Sequence, residues 1–273
     1  MMIIVAHHYV VNSGLSSIIY GSPSLGTKDI SLLLFCWGGK TGINCFLLIT
    51  GYFMCTSKIT VMKYVKLMTE YYFYSILFFV IFCISGYAPF SLKGFLKMLF
   101  PFYTISVNFI GCFLLFYLFI PFLNKLIHAL NEKEHLILLI LCLCIYTILP
   151  SFANVAVGYN YVTWFIVLYF IASYIRLYPK ESYIGAKRWG LLMAGSVLLS
   201  WISVIMLAWV GFKIGRTQIA YFFVADSNKI LAVSTAYEYI RGKIEKVKER
   251  FPEHEVIQDV YKNISEEVKS NNH

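Results

Sequence analysis

The chain has 273 residues, 59% of them hydrophobic and only 14% charged, with a mean hydropathy of +0.69, where soluble domains average about 25% charged and 45–50% apolar. That balance excludes an ordinary soluble enzyme, and 18% aromatic residues exclude a disordered or coiled-coil chain. The formal charge of +9 is uneven: residues 1–237 hold 16 Lys/Arg against 6 Asp/Glu, and residues 238–273 hold 7 against 8. Basic residues scattered between apolar runs suit loops facing anionic lipid and do not suit a nucleic-acid face.

A helix crosses lipid because it satisfies its own backbone polar groups, and it needs about 20 mainly apolar residues to do so. In chain order, the clear candidates are 41–55, 71–87, 104–123, 136–153, 161–177 and 190–212. Two more are weaker. The run 1–11 is short and starts abruptly, and 218–240 is interrupted by Asp226, Asn228 and Lys229. The chain therefore reads as an all-α, polytopic membrane bundle of about seven to eight transmembrane helices. Amphipathic connectors are expected at 30–37 and at 90–100, where Lys93 and Lys97 make one basic face.

Alternate loops carry nine basic residues on one side (Lys58, Lys63, Lys66, Lys125, Lys133, Arg176, Lys180, Lys187 and Arg188) and four on the other (Lys93, Lys97, Lys213 and Arg216). The positive-inside rule then places both termini in the cytoplasm. Residues 237–273 read as a charged, soluble helical tail with a break at Pro252, a solvated appendage or a partner-binding arm. The seven cysteines all lie in apolar stretches without CxxC spacing, so they read as small hydrophobes and no metal site is expected.

Polar groups inside spans are costly and mark candidate sites. His8 and Asn12, at i and i+4, share a helix face, while His7 points about 100° away. His8 is therefore the better candidate for a pocket. An imidazole there can serve as a general base toward a hydroxyl, or as an interhelical hydrogen-bonding group. Asn44 and Gly51 lie seven residues apart on one face, which would allow a second helix or a ligand close to the backbone. The glycines ahead of Asn44 lack the P-loop pattern.

Four blocks carry a resemblance: residues 3–11 (IIVAHHYVV), 42–53 (GINCFLLITGYF), 113–123 (FLLFYLFIPFL) and 164–170 (WFIVLYF). Their order and spacing, over about 1–231, resemble acyltransferase family 3, bacterial integral-membrane enzymes that O-acylate surface glycans. The resemblance implies a transmembrane acyltransferase-like domain over 1–236 followed by the tail 237–273. It places the chain in a bacterial plasma membrane. Members of the family carry an Arg that would fall about three positions ahead of Met1 and several spans beyond the region matching Leu231, so by resemblance the domain 1–236 reads as truncated at both ends, with the charged tail in place of those spans. His8, with His7 beside it, would take the place of the family's essential histidine. Asn44 would hold its acidic or amide position, and Thr50 the serine position.

The implied chemistry is transfer of an acyl group, acetyl in the simplest case, from acyl-CoA to a glycan hydroxyl. Asn12, Thr50 and Trp164 would contact the acceptor. Lys58, Lys63 and Arg176, with Lys66, Lys187 and Arg188, would attract the CoA phosphates. Acetyl-CoA is a co-substrate, and no permanently bound cofactor is implied. Two other classes stay open: a glycan transporter or flippase, and a catalytically inactive scaffold whose tail recruits a partner.

Overall fold

A computed structural model describes residues 2–22, 24–87, 89–100, 109–152, 160–179, 184–217 and 226–251. All regular structure among them is helical, without strands. In chain order the helices are α1 (Met2–Asn12), α2 (Leu15–Gly21), α3 (Thr27–Cys36), α4 (Gly39–Met54), α5 (Val61–Ile84), α6 (Leu92–Leu99), α7 (Phe109–Ala129) and α8 (Glu132–Leu143). A π-helical segment (Cys144–Ile148) then leads into α9 (Leu149–Phe152), followed by α10 (Tyr161–Leu177), α11 (Ala186–Lys213) and α12 (Ile230–Arg250).

Five stretches are long and apolar enough to cross a membrane: Thr27–Met54, Val61–Ile84, Phe109–Ala129, Glu132–Ser151 and Ala186–Lys213. The chain is thus an all-helical protein with several membrane-length apolar helices, and the expected count of seven to eight is not reached among the described residues. Two differences from the sequence reading have local causes. The connector expected at 30–37 joins α4 as one 28-residue apolar stretch, because Trp37 and Gly38 keep right-handed helical backbone angles between α3 and α4. The run over α10 has only 17 residues; it is apolar around its whole circumference because protein surrounds it.

The core is built on α10. Trp164, Phe165, Leu168 and Tyr169 are fully buried against Leu47 and Leu48 of α4 and against Cys112, Phe116 and Ile120 of α7. Gly51 sets the spacing of α4 and α10, since a Cβ there would lie 2.8 Å from the Cβ of Ala172. A smaller cluster joins Val10 of α1, Ile19 of α2, Leu33 and Cys36 of α3, and Val204 and Ala208 of α11.

Cross-contacts show which helix ends meet. Asn124 Nδ2 donates to the Met54 carbonyl at 3.1 Å, Tyr178 Oη to the Leu130 carbonyl at 3.1 Å, and the Ala186 amide to Glu249 Oε1 at 2.8 Å. These gather the ends of α4, α7, α10 and α12 with the starts of α8 and α11, and Lys58, Lys63, Lys125, Lys133, Arg176, Lys187 and Arg188 accompany them. This is the basic end of the bundle. The starts of α4, α10 and α12 and the end of α9 meet at the opposite end, where Lys40 Nζ pairs with Tyr161 Oη and Lys229 Nζ donates to the Pro150 carbonyl at 2.9 Å.

The composition border at 236/237 falls inside the continuous helix α12. That helix packs along α11: Ser196 Oγ donates to Glu238 Oε2 at 2.6 Å, Arg241 lies over the Trp189 ring, and Arg241 and Glu245 are buried. Through Arg250 the tail is therefore an anchored part of the bundle. Residues 252–273, with the break expected at Pro252, residues 153–159 and Lys180 lie outside the described residues.

Candidate functional site

The expected site residues fall into three places. At the first, α1 crosses the start of α4 and turns His7, not His8, inward. His7 is buried, and its Nδ1–H donates to the Cys36 carbonyl at 2.8 Å, at the end of α3 where it runs on into α4. The ring lies over Gly39, where a Cβ would come within 2.2 Å of it, so only glycine fits. His8 is exposed, and its Nδ1 lies 3.2 Å from Asn12 Nδ2, the i, i+4 pairing that the sequence indicates. With Nδ1 accepting from the Asn12 amide, Nε2 carries the ring proton. Turning that amide so that its oxygen faces Nδ1–H frees Nε2 as a base.

The second place is a buried polar knot. Asn44 is fully buried; its Nδ2 donates to the Ser227 carbonyl at 2.6 Å and to that of Ala232 at 3.4 Å, and its Oδ1 accepts from Trp164 Nε1 at 3.0 Å. Asn44 and Trp164, assigned to different roles from sequence, thus hold each other and tie α4 and α10 to the start of α12. Thr50 is half-buried further along α4.

The same knot resolves a backbone problem in the α8–α9 span. Pro150 has no N–H to offer the Tyr146 carbonyl four residues back, and the helix widens into the π segment just before it. Asn228 Nδ2 supplies the missing donor to the Tyr146 carbonyl at 2.7 Å. Lys229 Nζ caps Pro150 and lies 3.7 Å from Asp226. The residues that interrupt the last apolar run in the sequence are therefore the ones that satisfy a broken helix elsewhere.

The third place is the basic end. Arg176 Nη1 donates to Tyr52 Oη at 3.0 Å, with the guanidinium 4.8 Å from the ring centre. Lys58 and Lys63 are exposed on the α4–α5 turn, where Lys63 Nζ donates to the Lys58 carbonyl at 2.8 Å. Lys66, Lys187 and Arg188 are also exposed. Between Gly39, which carries His7, and Tyr52, which carries Arg176, α4 rises about 20 Å, so the histidines and the basic cluster lie at opposite ends of one helix.

A cleft of about 550 Å³ runs along that helix between α1, α11 and α12. Trp37, Thr41, Cys45 and Ile49 form its stripe on and just before α4, Ile3 and Ile4 close it from α1, and Thr235 and Tyr239 add hydroxyls from α12.

The sequence reading did not single out Lys40, Tyr161 or His135. His135 is fully buried, with Nε2 3.2 Å from the Phe170 carbonyl and its ring edge-on to Tyr174 and Tyr178. It follows the charged start of α8 directly, so the apolar pattern gave no signal of burial. None of the seven cysteines forms a disulfide, and no cluster of metal-binding side chains occurs among the described residues. No family model, no curated protein and no solved structure matches the chain.

Proposed function

We propose that this chain is a membrane-embedded acyltransferase that moves an acyl group, acetyl in the simplest case, from acyl-CoA to a hydroxyl of a surface glycan. The observation that most favours this reading is the cleft. It begins beside the histidine-bearing helix and runs along the 13 residues from Trp37, just before α4, to Ile49, about 18 Å of helical rise. An extended pantetheine arm could lie there, its phosphates drawn to Arg176, Lys58 and Lys63 and its thioester delivered toward His8. The four sequence blocks that resemble acyltransferase family 3 point the same way and imply a bacterial plasma membrane, and the excess of basic residues at one end favours a donor on the cytoplasmic side.

In the reaction, His8 Nε2 takes the hydroxyl proton as the oxygen attacks the thioester carbonyl. The C–S bond breaks, the thiolate of CoA leaves, and the imidazolium returns the proton to it. Asn12 holds the ring so that Nε2 faces the acceptor. Asn44 has a different role here from the one the resemblance implies: its amide is engaged by Ser227, Ala232 and Trp164, so it braces the wall of the site.

The test is transfer of labelled acetyl from acetyl-CoA to glycans in membranes that carry the chain. His8→Ala should cut transfer by about 10²-fold or more, and Val197→Trp, which fills the cleft from α11, should raise KM for acetyl-CoA. Transfer by His8→Ala at the parent rate ends the assignment. A second reading, an inactive scaffold, is favoured by the way Asn44 and Trp164 occupy each other; it predicts no transfer by the parent chain at any acetyl-CoA concentration.

A further inference from the structure

We propose that the break between α8 and α9 is a monovalent-cation site that this chain fills with its own Lys229 ammonium. Several oxygen atoms lie at the break. The Pro150 carbonyl accepts from Lys229 Nζ at 2.9 Å, and the Asp226 carboxylate lies 3.7 Å from it. The Tyr146 carbonyl, which Pro150 cannot serve as the i+4 donor, accepts from the Asn228 amide, one residue away from Lys229, at 2.7 Å. On the same two turns, Thr147 Oγ1 and Ser151 Oγ are buried atoms without a protein partner, and Thr147 is only 4% exposed.

Carbonyl, hydroxyl and carboxylate oxygens are the donors that hard cations prefer, and unwound carbonyls at the end of a broken membrane helix are how such ions are held in lipid. One carboxylate among neutral oxygens balances a single positive charge, which selects a monovalent ion over a divalent one. Lys229 meets that demand with a primary ammonium that is 4% exposed and tethered to the start of α12. A buried ammonium is tolerated only where oxygens replace its hydration, and the break supplies them. The assignment rests on the fold alone and stands whether or not the chain transfers acyl groups.

Thermal unfolding of the purified full chain in detergent tests it, with NaCl, KCl and choline chloride compared at equal ionic strength. The parent chain should unfold at one temperature in all three. Lys229→Ala, which empties the space, should unfold about 2–4 °C or more higher in NaCl or KCl than in choline chloride, because an ion that binds the folded state raises its stability. Lys229→Met, which fills the space with an apolar stem, should be less stable than the parent and show no cation dependence. If Lys229→Ala is not recovered folded, Lys229→Ser leaves similar room and adds an oxygen. Equal midpoints in choline and alkali salts for the folded small-residue variant overturn the proposal, as does folding of Lys229→Met when neither small-residue variant folds in NaCl.

Discussion

Helices α5 and α10 are both apolar, yet none of the 24 residues of α5 is buried, whereas α10 buries Trp164, Phe165, Leu168 and Tyr169 among others of its 17. Hydropathy does not separate them, because a helix set in lipid and one set in protein need the same greasy surface. Small residues and polar handles do. On α10, Ala172 meets Gly51, Trp164 reaches Asn44, and Ser173 lies 3.5 Å from His135. On α5 the corresponding groups serve its own hairpin: the Tyr71 and Tyr72 hydroxyls donate to the Met98 and Leu99 carbonyls that end α6. Packing in a membrane follows close backbone approach and shared hydrogen bonds; among the described residues α5 meets the rest of the bundle mainly through Tyr64 and Leu67, which pack against the core with the Tyr64 ring beside that of Tyr117 on α7.

The largest effect should come from Trp164→Ala. It removes a fully buried indole and leaves Asn44 Oδ1 without its 3.0 Å donor, a loss of about 3–5 kcal/mol by analogy with aromatic truncations in packed cores. Unfolding in mixed micelles with increasing SDS measures it. A loss below about 1 kcal/mol would place α10 in the same class as α5 and dissolve the contrast.

Gly51→Ala should have a smaller but still clear effect. The added Cβ would lie 2.8 Å from the Ala172 Cβ and 3.2 Å from the Tyr169 ring, so α4 and α10 must separate, at about 1–3 kcal/mol. The same unfolding assay reads it, and a neutral result would mean that the two helices are not in close contact. Combining Gly51→Ala with Ala172→Gly sharpens the test, since removing the opposing methyl should restore much of the loss if the clash is the cause.

Much of this was legible before the structure. Apolar length located the spans at 41–55, 71–87 and 190–212 inside α4, α5 and α11 or within a few residues of their ends, because lipid imposes the pattern locally. Asn44, Gly51 and the His8–Asn12 pair stood out because polar or very small residues in such runs are costly without a reason. What stayed hidden depends on distant partners. Neighbouring histidines share one composition, and only the crossing of α1 over Gly39 decides that His7 is the buried one. Asp226, Asn228 and Lys229 read as an interruption of their own span, because the carbonyl that requires Asn228 belongs to Tyr146, 82 positions earlier. The burial of Arg241 and Glu245 is likewise set by α11, so a charged helix that reads as solvated is partly enclosed.

The smallest effect is expected on α5, and it bears most directly on what surrounds that helix. Phe78 is 53% exposed, and its ring meets that of Phe82 one turn on, at 6.4 Å between centroids. If lipid covers this face, Phe78→Ala exchanges ring contacts with acyl chains for methyl contacts with acyl chains, and the folded and unfolded states in the membrane lose nearly the same amount. The change in stability should then stay within about 0.5 kcal/mol. If another protein surface covers α5, the ring is a buried anchor and its removal costs about 2 kcal/mol or more. That larger loss should also fall away on dilution into excess micelles, because an association held at an interface depends on concentration whereas a lipid contact does not. The two outcomes therefore separate an α5 that ends the molecule from one that begins an interface.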